Sequence, residues 1–180
     1  MGGDVQGDAV ETNAGLVDSI RGYFDTDRSK LTMMAARHFR VPERTIVDAL
    51  VGHWPIVRLR DGVVRELVEA LPSLGTLRVF IRSRAAVMET VGTFGGLSET
   101  GPFLNVQTET LDLHLLPDEV AFVYAVEKIG HDSDNVTHSF QFFDRQGDAG
   151  FKVFLWENFP NVPPHRVAAF RGLIERFAEG

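Results

Sequence analysis

A run of alternating apolar and polar residues, from Val87 to Leu155, does most to restrict what this chain can fold into. Within it stand V-M-E-T-V-G, G-P-F-L-N-V, L-D-L-H-L and H-S-F-Q-F-F-D-R-Q-G-D-A-G-F-K-V-F-L. A period of two puts successive side chains on opposite faces of a strand, so each block reads as a strand with one buried face. The pattern predicts strands over Thr76–Arg82, Ala85–Thr90, Pro102–Gln107, Thr110–Leu116, Glu119–Lys128, Thr137–Asp144 and Gly150–Trp156. Turn residues separate them at Gly95-Gly96, Pro117-Asp118, Gly130-His131-Asp132 and Arg145-Gln146-Gly147-Asp148. Such short connections allow antiparallel pairing and leave no room for crossover helices.

Helical spacing appears only outside this run. Leu31, Met34, Ala35 and Phe39 mark one helix, with Ser29 placed to cap it. Val41-Pro42-Glu43 breaks that helix and opens another, with Ile46, Val47 and Leu50 on one face and Gly52 at its end. Asp61 to Leu71 forms a third, ended by Pro72. Pro163-Pro164 starts the last, whose stripe of Val167, Phe170, Leu173, Ile174 and Phe177 can cover a sheet. Residues 1–27 read as a flexible tail with a short helix over Leu16 to Phe24, and residues 28–180 as one domain. The expected class is α+β: short N-terminal helices, an antiparallel sheet of about seven strands and a closing amphipathic helix. The outer strands need protection, which pairing with a second copy would supply.

A net charge of −7 argues against nucleic-acid binding, and against reading the first helical pair as a DNA reader. Cysteine is absent, which removes disulfides, thiolate metal sites and a cysteine nucleophile. The start M-G-G-D-V-Q-G-D-A-V-E-T-N lacks the basic and apolar regions of a secretion signal. No apolar stretch approaches bilayer-spanning length, so neither membrane insertion nor export is expected, and a cytoplasmic location is the default. No G-x-S-x-G, Walker loop or G-x-G-x-x-G occurs, so nothing here points to hydrolysis or group transfer.

Of six histidines, His114 stands apart. It lies in an aliphatic strand, on the face opposite Leu113 and Leu115 and shared with Asp112 and Leu116. A polar ring there needs a hydrogen-bond partner, a metal or a cofactor iron, and the residues alone leave these open. His131 and His138 flank the acidic segment H-D-S-D-N-V-T-H, which reads as a solvated hairpin loop and matches no metal-ligand spacing. The 14 phenylalanines suit a core, and also pockets for flat apolar ligands.

The order of these words resembles the HemS/ChuX/HutX-like haem-utilisation family. In that family a glycine-containing strand precedes a G-[PY]-[WF]-x-N-V block and an L-H-L or L-R-L strand, matched here by M-E-T-V-G, G-P-F-L-N-V and L-D-L-H-L. The S-x-Q-F-F-D-x-x-G-x-A-x-x-K-x-[YF] signature is matched from Ser139 to Phe154, and A-A-R-H-F-R-V-P-E-R-T-I-V-D-A-L is similar to the family's opening helices. The resemblance implies a single-repeat, ChuX/HutX-like homodimer that binds haem b and serves as a carrier or reservoir in haem uptake and iron utilisation. A haem importer and a haem-degrading enzyme are the implied partners. It also implies haem degradation as an alternative activity, or a descendant that has lost haem. Thr90 stands where two-repeat members carry an axial histidine, and a hydroxyl is a poor haem ligand. By resemblance the iron donor is therefore His114. Arg82, Arg84 and Lys152 are the expected propionate partners, and Phe94, Phe103, Phe151 and Phe154 the expected porphyrin contacts.

Overall fold

The computed structural model describes residues 5–83, 85–131, 134–157 and 159–179. Three helices open the chain: α1 (Val5–Asp25), α2 (Thr32–Phe39) and α3 (Glu43–Leu50). The helix expected over Leu16 to Phe24 is thus the last part of α1, whose Ile20 and Phe24 are fully buried. Arg40 ends α2 in the left-handed region, at φ 58°, and turns the chain into Pro42 and α3. The Asp27 side chain, rather than Ser29, organises the turn before α2: it accepts from the Ser29 N–H and hydroxyl. β1 (Ile56–Arg58) and α4 (Val64–Ala70) follow, and a 3-10 turn over Leu71–Leu74 continues α4.

The strands are β2 (Thr76–Arg82), β3 (Val87–Thr93), β4 (Ser98–Thr100), β5 (Phe103–Gln107), β6 (Asp112–Leu115), β7 (Phe122–Ile129), β8 (Val136–Phe143) and β9 (Ala149–Leu155), and α5 (Pro164–Phe177) closes the fold. The class is the expected antiparallel α+β. Among the described residues, however, the strands form two sheets. Six stand in the order β1-β7-β8-β9-β2-β3 and three in the order β4-β5-β6. The switch between sheets occurs at Gly95-Gly96. Gly96 has φ 55°, and a Cβ there would lie 1.9 Å from the Gln107 carbonyl oxygen, so only glycine lets the backbones approach.

Each face of the large sheet has its own core. On one, Leu77, Val79, Phe140, Phe142, Phe151 and Val153 pack against Leu104, Val106, Leu113 and Leu115 of the small sheet. Leu67 and Val68 of α4 and Phe170 and Phe177 of α5 complete that cluster. On the other, Tyr124, Val126, Phe143 and Ala149 meet Ile20, Phe24, Ala35, Ile46, Leu50 and Trp54. β8 feeds both cores, with Phe140 and Phe142 on one side and Phe143 on the other, which is why this central strand carries a single exposed position.

The β8–β9 turn fastens the helical layer to the sheet. The Gly147 carbonyl accepts from the Arg44 N–H at 2.9 Å, and Gly147 itself sits at φ 83°. A Cβ at this position would come within 3.0 Å of Pro42 Cβ.

Candidate functional site

The expected site residues fall on different sides of the molecule. β2 alternates, with Leu77, Val79 and Ile81 toward the small sheet and Arg78, Phe80 and Arg82 toward the helices. On β9, Lys152 and Phe154 share the helix-side face, while Phe151 points into the core. Phe151 stacks on Phe142 with ring centroids 4.0 Å apart and planes at 9°, so its ring is committed to packing between the sheets. Phe94 is likewise buried in that core. Arg84 lies outside the described residues.

Arg82 and Lys152 are brought together, by a residue the sequence reading had placed only at a helix start. Glu43 is 2% exposed. Its Oε1 accepts from Lys152 Nζ at 2.5 Å and from Thr32 Oγ1 at 2.6 Å, and its Oε2 from Arg82 Nη2 at 2.7 Å. Burial alone would raise the Glu43 pKa. The Lys152 charge and hydrogen bond, the Thr32 hydroxyl and the Arg82 charge outweigh it and hold the carboxyl below its ordinary value. Beside this cluster lies Lys128, pushed down to about 8 chiefly by burial, with Asp27 opposing the shift and Lys152 adding to it.

The same face carries an aromatic strip. Phe80 and Phe154 lie 5.0 Å apart, and the Arg78 guanidinium sits 4.2 Å over Trp156 and 5.1 Å from Phe80. Arg78 also pairs with Glu89 of β3. Deeper on this face Gln141, 4% exposed, donates to Ser139 Oγ and leaves its own carbonyl oxygen unpartnered.

His114 and Phe103 stand elsewhere, on the outer face of the small sheet. Leu113 and Leu115 point inward from β6, and the His114 side chain between them is 54% exposed. Its Nδ1 lies 2.6 Å from Asn105 Oδ1, directly across the β5–β6 pair. Its Nε2 faces outward, 3.5 Å from Asp112 Oδ1. The nitrogen facing the sheet is therefore held by Asn105, not by Asp112 or a backbone carbonyl. Phe103 flanks the ring edge-on at 6.3 Å and is itself exposed, as is Leu116. Thr90 faces the same side of the large sheet as its partner Val79 and is half-buried.

His138 differs from the loop reading. It lies in β8, 8% exposed, with Nε2 3.3 Å from Glu127 and its ring edge-on to Phe170. Glu127 is in turn gripped by both ends of the Arg171 guanidinium, at 3.0 and 2.8 Å.

The His114 donor set suits a haem iron. One imidazole would be a sufficient protein ligand for haem, and His114 could offer it through its outward nitrogen, 3.5 Å from Asp112 Oδ1. A neutral imidazole binds iron through the nitrogen that carries no proton, and its other nitrogen needs an acceptor; Asn105 supplies one.

These features match one kind of protein, an α+β haem-utilisation domain. The sequence model of the haem utilisation ChuX/HutX family matches residues 57–173, and the chain belongs to that family. The haemin transport protein HmuS of Yersinia pestis is 34% identical over 119 residues, which are 65% of this chain and 33% of HmuS. The chain thus spans about a third of that relative's length. The structure of holo-PhuS, a haem-binding protein from Pseudomonas aeruginosa, is 27% identical with a TM-score of 0.77, over 93% of this chain and 46% of PhuS. The haem-binding protein ChuX shares the fold at 15% identity and a TM-score of 0.75, over 87% of this chain and 97% of ChuX. This chain therefore matches a single repeat. Among the described residues no helix is long and apolar enough to cross a membrane.

Proposed function

We propose that this protein binds haem b through His114 and acts as a cytoplasmic carrier or reservoir in haem utilisation, delivering haem from an importer to a degrading enzyme. The observation that carries this reading is the imidazole itself: half-exposed, held by Asn105 at 2.6 Å on one nitrogen, and with the longer 3.5 Å contact to Asp112 on the other. Haem would supply the iron, and this chain would hold it through the His114 imidazole, with Phe103 and Leu116 as apolar contacts beside it. A single small sheet covers one porphyrin face at most, so a homodimer would keep the other dry.

Arg82 and Lys152 serve the Glu43 cluster in this reading, on the far side of the large sheet from His114. A second reading rests on that same side. Phe80 and Phe154, their planes inclined at 55°, form an apolar strip with Arg78, Arg82 and Lys152 on the same face, where a porphyrin and its propionates could find partners.

A haemin titration followed by absorbance tests both. The wild type should give a saturable Soret band. His114→Ala should shift or weaken it, and Phe80→Ala should leave it in place. The opposite pattern assigns haem to the helix side, and no band in the wild type removes haem altogether. Adding a reductant separates carrier from degrading enzyme: a stable band that moves to an apo-acceptor protein supports the carrier.

A further inference from the structure

The geometry points to Asn105 as a positioning residue that fixes the tautomer of His114, with Ser98 and Thr100 of β4 accepting from the other end of its amide. The inference deepens the His114 reading and rests on it for its purpose, though not for its measurement.

A neutral imidazole carries one proton, and the nitrogen without it is the metal donor. Two acceptors compete for that proton here. Asn105 Oδ1 stands 2.6 Å from Nδ1, and Asp112 Oδ1 stands 3.5 Å from Nε2, beyond normal hydrogen-bond range. The shorter contact wins. The proton sits on Nδ1, and the Nε2 lone pair faces outward, where an iron can reach it.

That outcome depends on which way the Asn105 amide points. Turned over, its NH2 would face Nδ1 and drive the proton to Nε2, blocking the donor. In the orientation seen, the amide hydrogens have their own acceptors: Asn105 Nδ2 lies 3.3 Å from both Ser98 Oγ and Thr100 Oγ1. Asn105 is 5% exposed, so water has little access to its amide. Ser98 pairs directly with Asn105 in register, as Asn105 does with His114, so one row across the small sheet links its edge to the ring.

The test uses the apo protein with 15N-labelled histidine, at a pH about two units above the ordinary histidine pKa. Nitrogen shifts distinguish a protonated from a bare ring nitrogen, and His114→Ala identifies the signals. The wild type should show His114 protonated on Nδ1. Asn105→Leu should shift the ring toward Nε2 protonation or a mixture, and Asn105→Asp, which keeps an acceptor, should restore the wild-type pattern. If Asn105→Leu fails to fold, Asn105→Ala, which also removes the acceptor, gives the same readout with a smaller side chain. A wild type protonated on Nε2, or variants with unchanged shifts, would overturn the assignment. For haemin, Asn105→Leu should weaken binding about tenfold, with recovery in Asn105→Asp. A wild type that takes up no haemin but shows the Nδ1 tautomer sinks the haem reading and leaves the role of Asn105 standing.

Discussion

The helix side of the large sheet and the outer face of the small sheet treat their polar groups in opposite ways. On the helix side, one buried carboxylate draws in two cations and a hydroxyl, so that Glu43, Arg82, Lys152 and Thr32 satisfy one another. On the small sheet, His114 is held closely on one nitrogen, at 2.6 Å from Asn105, and loosely on the other, at 3.5 Å from Asp112. Cations that a buried carboxylate holds in this way serve the fold, because releasing them for a ligand would strand that carboxylate in a dry place. A group that is only half matched, at an accessible surface, has capacity to spare. That contrast supports His114 over the two cations as the first place to look for haem.

The largest effect should come from Glu43. Glu43→Ala leaves two adjacent cations without their anion and should cost about 3 kcal/mol in urea unfolding. If it costs no more than a surface change, the helix-side cluster is not structural and the contrast breaks. Gly147→Ala should cost about 1–2 kcal/mol, because a left-handed backbone disfavours a Cβ. The new atom would also press on Pro42, so the loss should appear as looser docking of α3 by hydrogen exchange.

A smaller effect should appear with pH. Burial lowers the His138 pKa, Glu127 acts against it and Arg171 adds to it, and the net shift is downward from 6.5. The unfolded chain therefore takes up the proton first. The contribution of neutral His138 is complete above 6.5 and is lost as pH falls below it. Urea midpoints at about pH 7.5 and about pH 6 should differ in the wild type, and His138→Gln should narrow the gap. The smallest stability change belongs to His114→Ala, about 1 kcal/mol, since the ring is exposed and its loss removes one hydrogen bond to Asn105. A large loss there would make His114 structural and reverse the comparison.

The strands were legible because their alternation is local, and so was the closing helix with its stripe from Val167 to Phe177. The division into two sheets was not. Periodicity tells which face is buried, not which strand is the neighbour, and β1 and β4 are three residues each, too short to show a period. His138 was readable in retrospect, since it shares a face with Phe140 and Phe142. At the candidate sites the residue types stood out and their partners did not. Glu43 meets Arg82 across 39 positions and Lys152 across 109, and no spacing rule reaches so far. Asn105 and His114 lie only nine apart, and each is conspicuous in its own strand, but their contact depends on the β5–β6 register.

The reach of the Glu43 cluster carries a consequence for assembly. The helix that bears this carboxylate is among the earliest parts of the chain to be synthesised, while the lysine that neutralises it arrives with the penultimate element of the fold. Until β9 is in place, seating α3 would bury an anion lacking one of its two cationic partners, with Oε1 missing its shortest hydrogen bond. A nascent chain ending before residue 152 should therefore keep its opening helices undocked, and the final strand acts as the signal that allows them to close.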